Sequence, residues 1–129
     1  MNYQIAIPTF NRPKIIRERS LALLNRHNID KNKIKIFVES EEMKESYGDL
    51  SSQYEFIITG AKGICSTRNA LQYYYFDKDI RNVLFMDDDI EDLMDMKNPL
   101  ENLDEFIING FNETEKLGFN IWGVSPFHN

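Results

Sequence analysis

A single cysteine, Cys65, stands in a chain of 129 residues, which excludes an intramolecular disulfide and fits a reducing compartment. No apolar run approaches the ~20 residues that a membrane-spanning helix requires. The first residues, Met1-Asn2-Tyr3-Gln4, carry no basic segment and lead into no cleavable apolar stretch, so the expectation is a cytoplasmic protein. An excess of basic charge is missing too. Fifteen Lys and Arg stand against 21 Asp and Glu, for a net charge of −6, which disfavours a broad nucleic-acid footprint but leaves room for a local basic pocket. There is no internal repeat, low-complexity tract or linker. What remains is 42% apolar and 28% charged, the composition of a soluble globular chain. The expectation is one domain over residues 1–129, large enough for a real core and short for a complete two-substrate enzyme.

Apolar patterning predicts strands at residues 5–7, 34–38, 54–59 and 83–86, with a fifth at 121–124. Between them fall helical segments at 15–26, 41–47, 66–76 and 103–117, with Ser66 or Thr67 expected to cap the third. Residues 91–95 read as the solvated acidic turn of a short helix. Alternating strands and helices imply a mostly parallel, Rossmann-like sheet with helices on both faces. Such sheets bind ligands beyond the carboxyl ends of their strands. Every chemically unusual cluster falls there: Thr9-Phe10-Asn11-Arg12, Glu39, residues 60–69, Asp87-Asp88-Asp89 and Pro126-Phe127-His128-Asn129.

Asp87-Asp88-Asp89 follows the apolar run Val83-Leu84-Phe85-Met86. Adjacent carboxylates repel one another, and a hard divalent cation is the simplest thing that makes such a cluster favourable. In extended geometry Asp87 and Asp89 face one side and Asp88 the other, a D-x-D arrangement for a metal that carries phosphates. The competing reading is a set of loop or helix-capping acids. Residues 60–69, Gly-Ala-Lys-Gly-Ile-Cys-Ser-Thr-Arg-Asn, join a strand to a helix whose N-terminus can receive an anion. Lys62 and Arg68 add positive charge, and Arg68 can grip phosphate in a two-pronged way. The segment is neither a Walker loop nor G-x-G-x-x-G, which argues against a nicotinamide cofactor.

Together these residues resemble the family 2-type glycosyltransferases of the GT-A (nucleotide-diphospho-sugar transferase) fold. The likeness rests on residues 5–12 (Ile-Ala-Ile-Pro-Thr-Phe-Asn-Arg), on Glu39, on residues 60–69 with the Arg68-Asn69 pair, and on Phe85-Met86-Asp87-Asp88-Asp89. It spans roughly residues 3–95. A narrower similarity, carried by the opening segment and by Ile36-Phe37-Val38-Glu39, is to the glycosyltransferases of large DNA viruses and phages.

The resemblance implies a metal-dependent, inverting transfer of sugar from a nucleoside-diphosphate sugar, with UDP or GDP as the carrier. Pro8, Thr9, Asn11, Arg12 and Glu39 would hold the nucleoside, with Lys62 and Arg68 beside the diphosphate. Asp88 would reach the ribose or sugar. Asp87 and Asp89 would hold Mn²⁺ or Mg²⁺. Two departures stand out. Glu39-Ser40 replaces the usual aspartate pair, and family members continue into an acceptor-binding half that normally supplies the general base. The catalytic base and the acceptor are therefore unassigned, and a nucleic-acid acceptor is disfavoured by the charge. The alternative is a non-catalytic or truncated nucleotide-sugar-binding module that acts with a partner chain, and a homodimer could complete a site. A phosphate-handling receiver or phosphatase-like domain is disfavoured, because the acids follow the fourth strand without the Thr or Val of a phosphatase.

The remaining polar and aromatic residues have plainer readings. His27 suits the end of its helix, His128 an inert terminus, and Cys65 a small packing position at a helix entry. Tyr73 to Phe76 and Trp122 read first as packing residues.

Overall fold

The computed structural model describes residues 2–125. Its centre is a four-stranded parallel sheet in the order β3-β2-β1-β4. The strands are β1 (Gln4–Pro8), β2 (Ile34–Val38), β3 (Glu55–Ile58) and β4 (Val83–Phe85). In sequence, α1 (Pro13–Glu18) and α2 (Ser20–Arg26) follow β1, and α3 (Glu41–Ser46) and α4 (Leu50–Gln53) follow β2. The helix α5 (Ile64–Phe76) links β3 to β4. A two-stranded hairpin, β5 (Met94–Asp95) and β6 (Asn98–Pro99), then leads to α6 (Leu103–Lys116).

Strand alternation divides the core in two. Ile5, Ile7, Ile36, Val38 and Phe56 join Ile16, Leu23, Leu24, Met43, Leu50, Leu103 and Ile107 in one cluster, which packs α1–α4 and α6 against one face. Ala6 and Phe37, with Ile57 and Val83, meet Leu71 and Tyr75 of α5 on the other. Strands buried on both faces explain the near-continuous apolar runs. The expected α/β sheet with helices on both faces is present.

Several expected details differ. The single helix over 15–26 is broken at Arg19 (φ −112°, ψ −91°), with no glycine or proline to mark the break. The helix expected from residue 66 begins at Ile64, and its N-cap is Gly63 at φ 84°, ψ 163°, in place of Ser66 or Thr67. Residues 91–95 do not form a helical turn. Leu93 and Leu100 pack against the core and are tied by a 2.8 Å backbone bond, which closes the β5–β6 hairpin between them.

Residues 121–124 form no strand. Trp122 turns onto α6 instead, edge-on to Phe111 (5.4 Å between centroids) and Phe106 (5.9 Å). β4 is consequently an edge strand among the described residues. Residues 126–129, including His128, lie outside the described residues.

Gly110 makes room for that indole. A Cβ at Gly110 would stand 2.7 Å from Cζ2 of Trp122. Gly110→Ala gains about 1 kcal/mol of helix propensity, but forcing the ring aside costs about 1–3 kcal/mol. The expected outcome is a red-shifted emission from the chain's one tryptophan and no net gain in stability. Unchanged emission with a higher unfolding midpoint would contradict this packing.

Candidate functional site

The strand order reverses at β1: β2 and β3 lie to one side of it, β4 to the other. Parallel sheets bind ligands beyond the carboxyl ends of their strands at such a switch point. The ladder runs slightly past both strands, with Thr9 N donating to Phe37 O (3.0 Å) and Met86 N to Ala6 O (3.0 Å). The Asp triplet therefore leaves the sheet beside Thr9.

A cleft of about 460 Å³ lies there. Pro8, Thr9 and Arg12 wall it from β1, Glu39 from β2, Gly63, Thr67 and Arg68 from the start of α5, and Asp87, Asp88 and Asp89 from β4. All of these but Gly63 and Thr67 belong to the ten residues the sequence selects, and so account for eight of them. The other two, Asn11 and Lys62, are exposed and stand outside the wall. Asn11 has φ 51° and makes the left-handed turn that carries the chain from Thr9 to Arg12.

The three aspartates alternate in burial as extended geometry predicts. Asp88 points inward, with a side chain only 7% exposed. Its Oδ2 accepts a 2.8 Å hydrogen bond from Thr9 Oγ1, and its Oδ1 lies 3.3 Å from Arg12 Nη1. Arg12 Nη2 reaches Asp89 Oδ2 at 3.4 Å, where both side chains are about two-fifths exposed. Asp87 is exposed and lines the cleft.

Two residues that sequence reasoning missed hold this arrangement. Tyr47, after α3, is fully buried, and its hydroxyl lies 2.7 Å from Thr9 Oγ1 and accepts from Arg12 N at 3.1 Å. Burial raises its pKa above the ordinary phenol value, so the hydroxyl stays protonated at neutral pH. Ser20, the first residue of α2, is equally buried; its Oγ donates to Asp87 O (2.6 Å) and accepts from Ile90 N (2.9 Å). Both stand four residues after an apolar core position, Ile16 or Met43, on the inward stripe of a helical segment. A polar group on such a stripe has to find a partner, and that was the available signal.

The loop after β3 is built on two left-handed glycines, Gly60 at φ 67° and Gly63 at φ 84°. Thr59 Oγ1 accepts from Ala61 N at 3.1 Å, and Gly60 N donates to Glu39 O at 2.9 Å. Gly63 then opens α5 in a conformation reserved for glycine. Its first turn, with Thr67 and Arg68, faces the cleft. His27 lies elsewhere and serves α6, where its Nδ1 accepts from Leu103 N at 3.2 Å.

Among the described residues no three His, Cys, Asp or Glu side chains gather as a ready metal site. Asp88 is already engaged. Asp87 and Asp89 are the two carboxylates of the triplet left at the cleft, and Asp89 already touches Arg12.

No protein-family model matches the chain, and no curated protein or solved structure matches it either.

Ser20→Ala strips a buried acceptor from Ile90 N–H and the donor from Asp87 O. Leaving such groups unpaired costs about 1–3 kcal/mol. Urea unfolding should show a loss in that range, against a few tenths for exposed Ser52→Ala. Equal losses at the two positions would mean that Ser20 does not pin the triplet.

Proposed function

We propose that the cleft binds a nucleoside-diphosphate sugar together with Mn²⁺ or Mg²⁺, and that the chain acts in glycosyl transfer on a GT-A-like, Rossmann-type scaffold. The observation that carries this reading is the meeting, at one sheet switch point, of an Asp triplet with two arginines and a glycine-opened helix N-terminus. Two carboxylates alone would repel a diphosphate. Two cationic side chains and free helix N–H groups alone would accept any anion. Together they suit a diphosphate that arrives with a divalent cation.

The roles follow from position. Pro8, Thr9 and Glu39 wall the end of the cleft beside β1 and β2, where a nucleoside would lie. Arg68 and the first turn of α5 offer donors to the diphosphate. Asp87 and Asp89 would hold the cation, which neutralises charge on the departing nucleoside diphosphate. Asp88 acts from beneath, by holding Thr9 and Arg12.

Thermal unfolding with UDP, GDP, CDP and dTDP, each with and without Mn²⁺, tests the reading. A ligand at 100 times its dissociation constant adds about 2.7 kcal/mol, which moves the midpoint by several degrees. The expected result is stabilisation by one diphosphate, dependent on Mn²⁺ and lost in Asp89→Asn. No shift with any pair would sink the proposal. Release of nucleoside diphosphate from the matching sugar donor then separates transfer from binding alone.

A further inference from the structure

Four groups form a closed ring at the wall of the cleft. Arg12 N–H donates to Tyr47 Oη, the hydroxyls of Tyr47 and Thr9 are bonded, Thr9 donates to Asp88 Oδ2, and Asp88 Oδ1 meets the Arg12 guanidinium. The proton directions are fixed. Thr9 has one hydroxyl proton and spends it on the carboxylate, so its lone pair takes the proton of Tyr47. The Tyr47 oxygen is then free to accept from Arg12 N–H. Reversing the Tyr47–Thr9 link would take the one Thr9 proton from Asp88 and leave two acceptors facing each other.

Tyr47 is the member of this ring that does not line the cleft. It is 1% exposed, and its ring packs edge-on to Phe56 at 5.6 Å. Its hydroxyl clamps the chain on both sides of Asn11, at Thr9 and at Arg12, and Asn11 is the residue held at φ 51°. A left-handed residue outside glycine persists where its neighbours over-determine it. Those two bonds do so here, and they fix the point from which the Arg12 side chain reaches Asp88 and Asp89.

We propose that Tyr47 is a positioning residue of the cleft, acting through Thr9 and the Arg12 backbone to set the Arg12 guanidinium where a ligand diphosphate meets it. This deepens the diphosphate reading above and rests on it. A guanidinium set in place before binding loses less freedom per bond formed, so affinity depends on its anchor.

Tyr47→Phe removes the hydroxyl and keeps the ring against Phe56. Two measurements test the role: the Arg12 Nε–Hε resonance without ligand, and calorimetric binding of inorganic pyrophosphate with Mn²⁺. In Tyr47→Phe the Arg12 resonance should broaden or average, and pyrophosphate binding should weaken five- to twentyfold. Thr9→Val should lose a similar factor, and the double variant no more than the worse single one, because both act through one ring. Ile29→Val, a core change remote from the ring, should leave binding unaltered, which separates positioning from general loss of stability.

An unchanged Arg12 resonance in Tyr47→Phe would overturn the proposal, as would additive losses in the double variant or an equal loss in Ile29→Val. If the wild-type protein binds neither pyrophosphate nor a nucleotide, the functional reading falls. The Arg12 resonance then decides the Tyr47 role by itself.

Discussion

A carboxylate with all but a few per cent of its surface removed from water has to be compensated where it stands, and the cleft is organised around doing so for Asp88. An uncompensated buried charge costs several kcal/mol, and removing one partner of such a pair is correspondingly severe. The compensation comes from β1, through Thr9, and from the turn after it, through Arg12. Thr9 is near enough only because β4 lies directly beside β1. Arg12 is near enough only because Asn11 turns the chain back. The pairing of the central strands and the geometry of the loop are thus bound to the same charge.

That arrangement also divides labour among the three acids. Asp88 is satisfied by protein and has little left for a ligand. Asp89 is held by one long, half-exposed contact to Arg12, the kind of ion pair that contributes a kcal/mol or less. Asp87 is fixed at its backbone by Ser20 while its carboxylate stays exposed. Positive charge at the cleft comes from Arg12 and Arg68, on two separate elements, within a chain whose net charge is −6. The local field is therefore mixed in a molecule that is globally acidic.

The sheet was legible because its strands are apolar on both faces and separated by helical periods. The cleft was legible because the odd residues all follow strands, and parallel topology carries strand ends to one edge. Tertiary contacts set what was not legible. The break at Arg19 has no local cause in residue type, and Ser20, just past it, is fixed by atoms of Asp87 and Ile90 far along the chain. Residues 121–124 have the composition of a strand, but Trp122 finds aromatic partners on α6 and the segment follows its anchor. Tyr47 looked like the end of a short polar helix because a hydroxyl's partner 38 positions back leaves no trace in local sequence. Asn11 and Lys62 share the motifs of the cleft, but one makes the turn and the other faces solvent.

The central place of β1 bears on how the molecule comes together in time. β2 adds to it, and β3 to β2, each after one helical excursion of chain. The contact between Thr9 and Asp88 spans 79 positions. Closing the longer loop costs only modestly more entropy. A chain that has made β1, β2 and β3 already holds the walls of the cleft that come from β1 and β2, while Asp88 is still in water with its charge hydrated. Desolvation of that carboxylate and its engagement by Thr9 and Arg12 both require β4 beside β1.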